Sequence, residues 1–183
     1  MSELTVAPRY AKSLIDLAQE QNQVEEVRED MGLFLHTLKA NTELKTVLAN
    51  PIVPHIKKLK ILEEVFSDKV TKLSIAFFKI MVNKSRGDIL YFTAQEFINL
   101  YDIKKHIVRA HVVSATILSE QNKQTMIAEI KDATGGTVIL DVKTDPSLIG
   151  GFVLTVGDKQ VDTSISSNLN KLKKEFAQRV ISN

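Results

Sequence analysis

Residues 145–162 read DPSLIGGFVLTVGDKQVD, and this stretch decides how the C-terminal part of the chain folds. Apolar side chains alternate with others over residues 152–156, which predicts a β-strand. Gly157-Asp158 is a two-residue loop of the kind that hairpins prefer, so a short return strand should follow directly. The Gly150-Gly151 pair before the strand indicates a bulge or the close approach of another backbone segment.

The sequence on both sides of this hairpin predicts a small α+β unit over residues 106–183. Upstream, residues 108–112 alternate between apolar and polar as in a strand, and residues 138–142 repeat the pattern. Between these two strands, Ser119 can cap a helix that ends at Gly135-Gly136. After the hairpin, apolar residues at helical spacing predict a terminal helix. The unit should therefore contain short strands plus two helices.

Residues 1–105 predict a bundle of six helices, because apolar residues recur there at intervals of three and four. Pro54 suits the first position of the fourth helix. Ser67 or Asp68 can cap the fifth helix, and residues 89–105 predict the sixth. The fold class is therefore mainly α, with a six-helix bundle followed by a small α+β domain.

The fifth helix is unusually apolar, since residues 70–82 leave only a narrow polar strip. A helix that is apolar on most sides is either central or a partner-binding element. The first helix adds the small residues Ala7, Ala11 and Ala18 beside Tyr10 and Leu14. For any one of these residues, plain core packing explains the pattern as well as an interface does, because the compositions of the two overlap.

Composition and charge exclude several classes of protein. The 24 basic and 22 acidic residues are interspersed and give a net charge of +2, without the one-sided bias that is typical of nucleic-acid binding. Without cysteine there can be no disulfide, thiolate metal site or cysteine nucleophile. Neither an export signal nor an apolar run long enough to span a membrane is visible, so we expect a cytosolic location.

No pattern of catalytic, metal-ligating or cofactor-binding residues stands out. Neither glycine pair leads into a phosphate-binding motif, and the four histidines lack metal-ligand spacing. Four aspartates could form a carboxylate cluster, but turn chemistry explains them better. Lysines in residues 57–60 could bind phosphate, although a solvated helix face is the simpler interpretation. We therefore predict no catalytic residue, no metal and no cofactor.

The stretch quoted first resembles the C-terminal signature of the ATP synthase delta subunit family, whose mitochondrial member is the oligomycin-sensitivity-conferring protein. The residues that carry this resemblance are Leu148, Gly150, Gly151, Phe152 and Asp162. Residues 9–14 resemble the opening helix of the family, and Asn50-Pro51 with residues 57–59 resembles the junction between its third and fourth helices. The chain departs from the family pattern at residues 83–86, where two residues separate Asn83 from Arg86.

The resemblance implies a non-catalytic stator subunit. Residues 1–105 would bind N-terminal segments of the alpha subunits on the catalytic head, and residues 106–183 would bind the b subunits of the peripheral stalk. The chain would then lie at the cytoplasmic face of a bacterial cell membrane and would resist rotation of the head during proton-driven ATP synthesis. A helical adaptor or RNA-associated protein of the same architecture is the alternative, followed by an unrecognised enzyme.

Two sets of residues are candidates for these contacts. We expect an alpha-subunit helix to lie in a groove between the first and fifth helices, in the helix-in-groove mode. The expected lining residues of the groove are Tyr10, Ala11, Leu14, Ala18, Phe77, Phe78 and Met81. The expected stalk-binding residues on the terminal helix are Leu169, Leu172, Phe176 and Val180.

Overall fold

The computed structural model describes the backbone of residues 3–181 and the side chains of residues 6–174. Within that range the chain forms eight α-helices and four β-strands. It divides into one unit that ends at Lys104 and a second unit that begins at Lys105. The prediction of a mainly helical chain with a small sheet is confirmed.

Six helices lie in the first unit. They are α1 (Glu3–Glu20), α2 (Val24–Ala40), α3 (Thr42–Ala49), α4 (His55–Phe66), α5 (Lys72–Asn83) and α6 (Leu90–Lys104). Helix α6 packs mainly against α1 and α2, and α5 packs mainly against α4 and also contacts α2. Phe34, Phe66 and Phe78 are fully buried and join α2, α4 and α5, with ring centroids between 4.5 and 6.1 Å apart. The three-and-four spacing therefore brings apolar side chains of these three helices together in one core.

The beginning of α5 differs from the prediction. Its cap is Thr71, whose Oγ1 accepts a hydrogen bond from the Ser74 backbone N–H, so neither Ser67 nor Asp68 is the cap. The buried Asp30 carboxylate on α2 accepts hydrogen bonds from Thr71 and Ser74, and this contact across the unit selects the later start. A smaller difference concerns Pro54, which stands at the N-cap of α4 rather than at its first helical position.

The second unit is a four-stranded sheet with two helices. Its elements are β1 (Ile107–Ser114), α7 (Glu120–Thr134), β2 (Thr137–Thr144), a 3-10 turn (Pro146–Leu148), β3 (Phe152–Val156), β4 (Lys159–Asp162) and α8 (Ile165–Ile181). The strand order is β2-β1-β3-β4; β1 pairs in parallel with β2 and antiparallel with β3. A parallel pair needs a crossover, and α7 supplies it.

The predicted ends of α7 and the predicted hairpin are confirmed. Ser119 Oγ accepts a hydrogen bond from the Asn122 N–H, and Gly135 ends the helix in the left-handed conformation, with φ of 70°. Strands β3 and β4 pair antiparallel across the Gly157-Asp158 loop. Local sequence chemistry thus places the hairpin and the helix ends without help from distant contacts.

Candidate interaction surfaces

Most of the residues expected to line the groove are buried within the first unit. Ala11, Leu14, Ala18, Phe78 and Met81 have almost no exposed surface, whereas Tyr10 and Phe77 are partly exposed. Small side chains allow two helices to approach closely, which fits the packing of α1 on α6. The fully buried members of the set therefore stabilise the unit, and a partner would meet chiefly Tyr10 and Phe77.

Two exposed apolar residues extend this surface, and sequence reasoning missed both as binding candidates. Leu17 on α1 is 40% exposed and Ile80 on α5 is 51% exposed. Leu17 lies seven residues after Tyr10, and Ile80 lies three after Phe77, so each pair shares one helix face. We call these four residues the α1–α5 surface. Both helices contact α2.

The terminal helix α8 carries an exposed apolar stripe. Ile165, Leu169 and Leu172 are between 46% and 52% exposed, at intervals of four and three residues on one helix face. We call these three residues the α8 stripe. Ile165 was not among the predicted binding residues, although its spacing from Leu169 could have indicated it. The predicted Phe176 and Val180 lie outside the described side chains.

The glycine pair of the signature holds the start of α8 against the start of β3. The Ile165 N–H donates to Gly150 O at 3.0 Å, and the Thr163 N–H donates to Phe152 O at 3.0 Å. A Cβ on Gly150 would lie 2.5 Å from Ile165 Cδ1, and a Cβ on Gly151 would overlap the carbonyl oxygen of Thr163. The predicted close approach is therefore real, and the segment that approaches is the connection from β4 to α8.

The first turn of α8 is capped by Asp162 and Ser164. The Asp162 carboxylate accepts hydrogen bonds from the Ser164 N–H at 2.8 Å and from the Ser167 hydroxyl at 2.6 Å. Ser164 Oγ in turn accepts from the Ser167 N–H at 3.3 Å. The Ser167 hydroxyl, followed by Ser164, lowers the pKa of Asp162. The signature thus fixes where α8 begins, and with it the position of the α8 stripe.

Replacing Asp162 with asparagine should destabilise the second unit at pH 7 and less at pH 3. The folded-state pKa of Asp162 is depressed, so its contribution is complete above the unfolded pKa of about 3.9 and is lost as the pH falls through the folded value. Urea unfolding of both proteins, followed at both pH values, measures the difference. The exposed Asp158→Asn is the control, and an equal loss from Asp162→Asn at pH 3 and pH 7 would contradict the prediction.

Two other aspartates that could have formed a carboxylate cluster, Asp145 and Asp141, make separate local contacts. Hydrogen bonding with the Ser147 side chain, followed by the Ser147 backbone N–H that donates to Asp145 Oδ1 at 2.9 Å, lowers the pKa of Asp145. Asp141 lies 3.2 Å from the ring of His111 on the neighbouring strand. Within the part of the chain that the structure describes, no three histidine or acidic side chains converge as a metal site would require. No helix in this part is both long and apolar enough to cross a membrane.

Comparison with known proteins identifies the relatives of this chain. The sequence model of the ATP synthase delta (OSCP) subunit family matches residues 6–176. ATP synthase subunit delta of Cytophaga hutchinsonii is 36% identical, with 99% of each chain covered. The same subunit of a Synechococcus strain is 34% identical, with 93% of this chain and 94% of the relative covered.

A solved structure shares the fold. A chain in the cryo-EM structure of the Toxoplasma gondii mitochondrial ATP synthase hexamer aligns with a TM-score of 0.71 and 23% identity. The alignment covers 93% of this chain and 97% of that one. Because the family model spans nearly the whole chain and relatives above 30% identity match it end to end, this protein belongs to the ATP synthase delta (OSCP) subunit family.

Proposed function

We propose that this protein is a non-catalytic stator subunit that connects the catalytic head of an F-type ATP synthase to its peripheral stalk. The observation that carries the proposal is that each compact unit presents its own exposed apolar surface in a chain of this family. In this proposal the six helices of residues 1–105 act as one bundle that holds the head. Residues 106–183 hold the stalk, and the complex lies at the cytoplasmic face of a bacterial cell membrane.

The work of such a connector is mechanical. Rotation of the central part of the machine drags on the head, so the connector must dissociate slowly from both partners. Slow dissociation arises mainly from a few buried apolar anchors, while charges at the rim mostly affect the rate of association. Half-exposed leucine and isoleucine side chains on helices are suitable anchors, because a partner can bury the remaining half of each.

For the head, we propose that a helix from the N-terminal segment of alpha binds the α1–α5 surface. Ile80→Asp should weaken the binding of an alpha N-terminal peptide to the full chain at least about 10-fold, because it places a charge in the apolar contact. Fluorescence anisotropy with a labelled peptide measures the affinity. Leu14→Asp would be uninformative, since Leu14 is fully buried and its loss would affect folding.

Ile103→Asp is the matched control for this experiment. Ile103 lies on α6 of the same unit and is 70% exposed, so the same change there should leave the peptide affinity unaltered. Equal affinities of the wild type and the Ile80→Asp protein would refute the α1–α5 surface as the site for alpha.

For the stalk, we propose that the b subunits bind the α8 stripe. The double variant Leu169→Asp and Leu172→Asp should lose b from complexes recovered through a tagged alpha subunit, while it should itself remain bound to alpha. Asn168→Asp with Asn170→Asp is the matched control, because it adds the same two charges at exposed polar positions of the same helix. Retention of b by the double leucine variant would show that b binds elsewhere.

The same recovery experiment separates this function from its rival. A helical adaptor or RNA-associated protein would be absent from the complexes that the tagged alpha subunit recovers with b and ATPase activity.

A further inference from the structure

A cavity of about 550 Å³ lies in the first unit, between α3, α4 and the segment that leads from α5 into α6. Its apolar wall includes the buried residues Leu38, Leu48, Val82 and Leu90. Neither the α1–α5 surface nor the α8 stripe contributes a lining residue to this cavity. The volume is enough for one or two large side chains of a partner.

One basic and one acidic side chain, those of Lys58 and Asp88, line this cavity. Lys58 is 6% exposed, and its Nζ donates to Leu48 O at 2.7 Å. Burial lowers the pKa of Lys58, and the negative charge of Asp88 opposes that shift. Asp88 also lines the cavity, and its Oδ1 is buried without a hydrogen-bond partner among the residues that the structure describes. An unpaired buried acceptor costs the folded unit free energy.

The charged side chains that line the cavity are Lys45, Lys58 and Asp88. Residues 44–62 contain four lysines and no aspartate or glutamate. One of them, Lys45, lines the cavity and holds its Nζ 4.0 Å above the centre of the Tyr91 ring. A negatively charged ligand would therefore approach in a favourable field.

Exposed apolar residues lie in the same segment. Ile52 and Ile56 are 86% and 80% exposed, and each directly follows a residue that lines the cavity, Pro51 and His55 respectively. Two such exposed isoleucines next to a concave, partly apolar site are typical of a protein-binding surface.

We propose that the cavity and these two isoleucines form a docking site for an acidic, apolar peptide segment of a partner protein. One large apolar side chain of the segment enters the cavity between Leu48 and Val82. Its carboxylates face Lys45, the exposed lysine of the lining. A flat anionic membrane could meet the isoleucines and the exposed lysines, but it could not fill the concave site between Leu48 and Val82.

Selection from a phage-displayed library of random 12-residue peptides on the full chain tests this proposal. Binders that also recognise the variant carrying Lys45→Glu and Ile56→Asp are removed first. We expect the remaining peptides to carry a net negative charge and at least one leucine or aromatic residue. They should bind the wild type at least about 10-fold more tightly than the double variant, with an affinity that falls as salt rises.

The control is Ile103→Asp, which should bind the selected peptides like the wild type. Thermal unfolding checks that the double variant folds, as expected for substitutions at two exposed positions. Neutral or basic peptides, or no enrichment, would overturn the proposal. So would binding of the full chain to phosphatidylglycerol vesicles that the double variant loses, or self-association of the chain through Ile56.

Discussion

Replacing Asp30 with alanine is expected to lower the free energy of unfolding of the helical unit by about 3 kcal/mol. Asp30 is buried on α2, and its Oδ2 accepts three hydrogen bonds from the start of α5. The donors are the Thr71 N–H at 2.9 Å, the Thr71 hydroxyl at 2.6 Å and the Ser74 hydroxyl at 2.6 Å. Hydrogen bonds to a charged group are about twice as strong as neutral ones.

The alanine variant removes the acceptor and leaves three partly or fully buried donors without their hydrogen bonds. The Ser74 hydroxyl can turn to Thr71 Oγ1, which lies 3.1 Å away, so part of the loss is recovered. The Thr71 N–H has no such substitute in the first turn, where helix N–H groups lack partners within the helix. Asp30→Asn should cost less than the alanine change, because its amide oxygen still accepts without the charge.

Tyrosine fluorescence during urea titration measures this unit separately within the full chain. All three tyrosines, at positions 10, 91 and 101, belong to the first unit, and the chain has no tryptophan. Asp68→Ala is the matched control, since Asp68 is an exposed acid just before α5 and should change the midpoint little. A midpoint for Asp30→Ala equal to that of Asp68→Ala would show that the buried carboxylate does not hold α5.

This contact also explains why the sequence misplaced the beginning of α5. Ser67, Asp68 and Thr71 are all acceptable caps by residue type. The choice among them depends on Asp30, which is 41 residues away from Thr71 in the chain. By contrast, α7 begins at the Ser119 cap and ends at Gly135 through contacts within a few residues, and there the prediction is confirmed. A cap that depends on neighbouring residues can be predicted from one sequence, whereas a hydrogen-bond partner on another helix cannot.

The interaction surfaces also depend on contacts between distant residues, so the sequence predicts them less well than it predicts helix ends. Helical periodicity identifies which side chains are apolar, but it does not say which of them the protein itself buries. Leu14 and Leu17 lie on the same apolar helix, and only Leu17 remains substantially exposed. The main neighbour of α1 is α6, and the packing of helices that are distant in sequence cannot be derived from the periodicity of α1 alone. On α8 the spacing was more informative, since Leu169 and Leu172 are half-exposed as an interface would require.

Replacing Gly151 with alanine is expected to destabilise the second unit by about 3 kcal/mol. Gly151 has a φ of 77°, a conformation that alanine adopts at a cost of about 1 kcal/mol. A Cβ there would also overlap the backbone oxygen of Thr163, which cannot swing aside as the end of a side chain could. The connection from β4 to α8 must then move away from β3.

Gly135→Ala separates the two costs. Gly135 has a similar φ of 70°, but a Cβ there would meet no atom within 4 Å, so this variant carries only the conformational penalty of about 1 kcal/mol. Amide hydrogen exchange of the paired β1 and β3 strands in the full chain reports the stability of the second unit. We expect exchange about 100-fold faster in Gly151→Ala and only several-fold faster in Gly135→Ala, since each 1.4 kcal/mol is a factor of ten.

The comparison of these two variants also tests what the signature does. If the glycine pair holds the first turn of α8 in place, Gly151→Ala should weaken stalk binding under conditions where the unit is still folded, and Gly135→Ala should not. Equal exchange rates for the two variants would mean that the β4–α8 connection yields easily. The stalk-binding position of α8 would then have to be fixed by other contacts, such as the hydrogen bonds of Asp162 with Ser164 and Ser167.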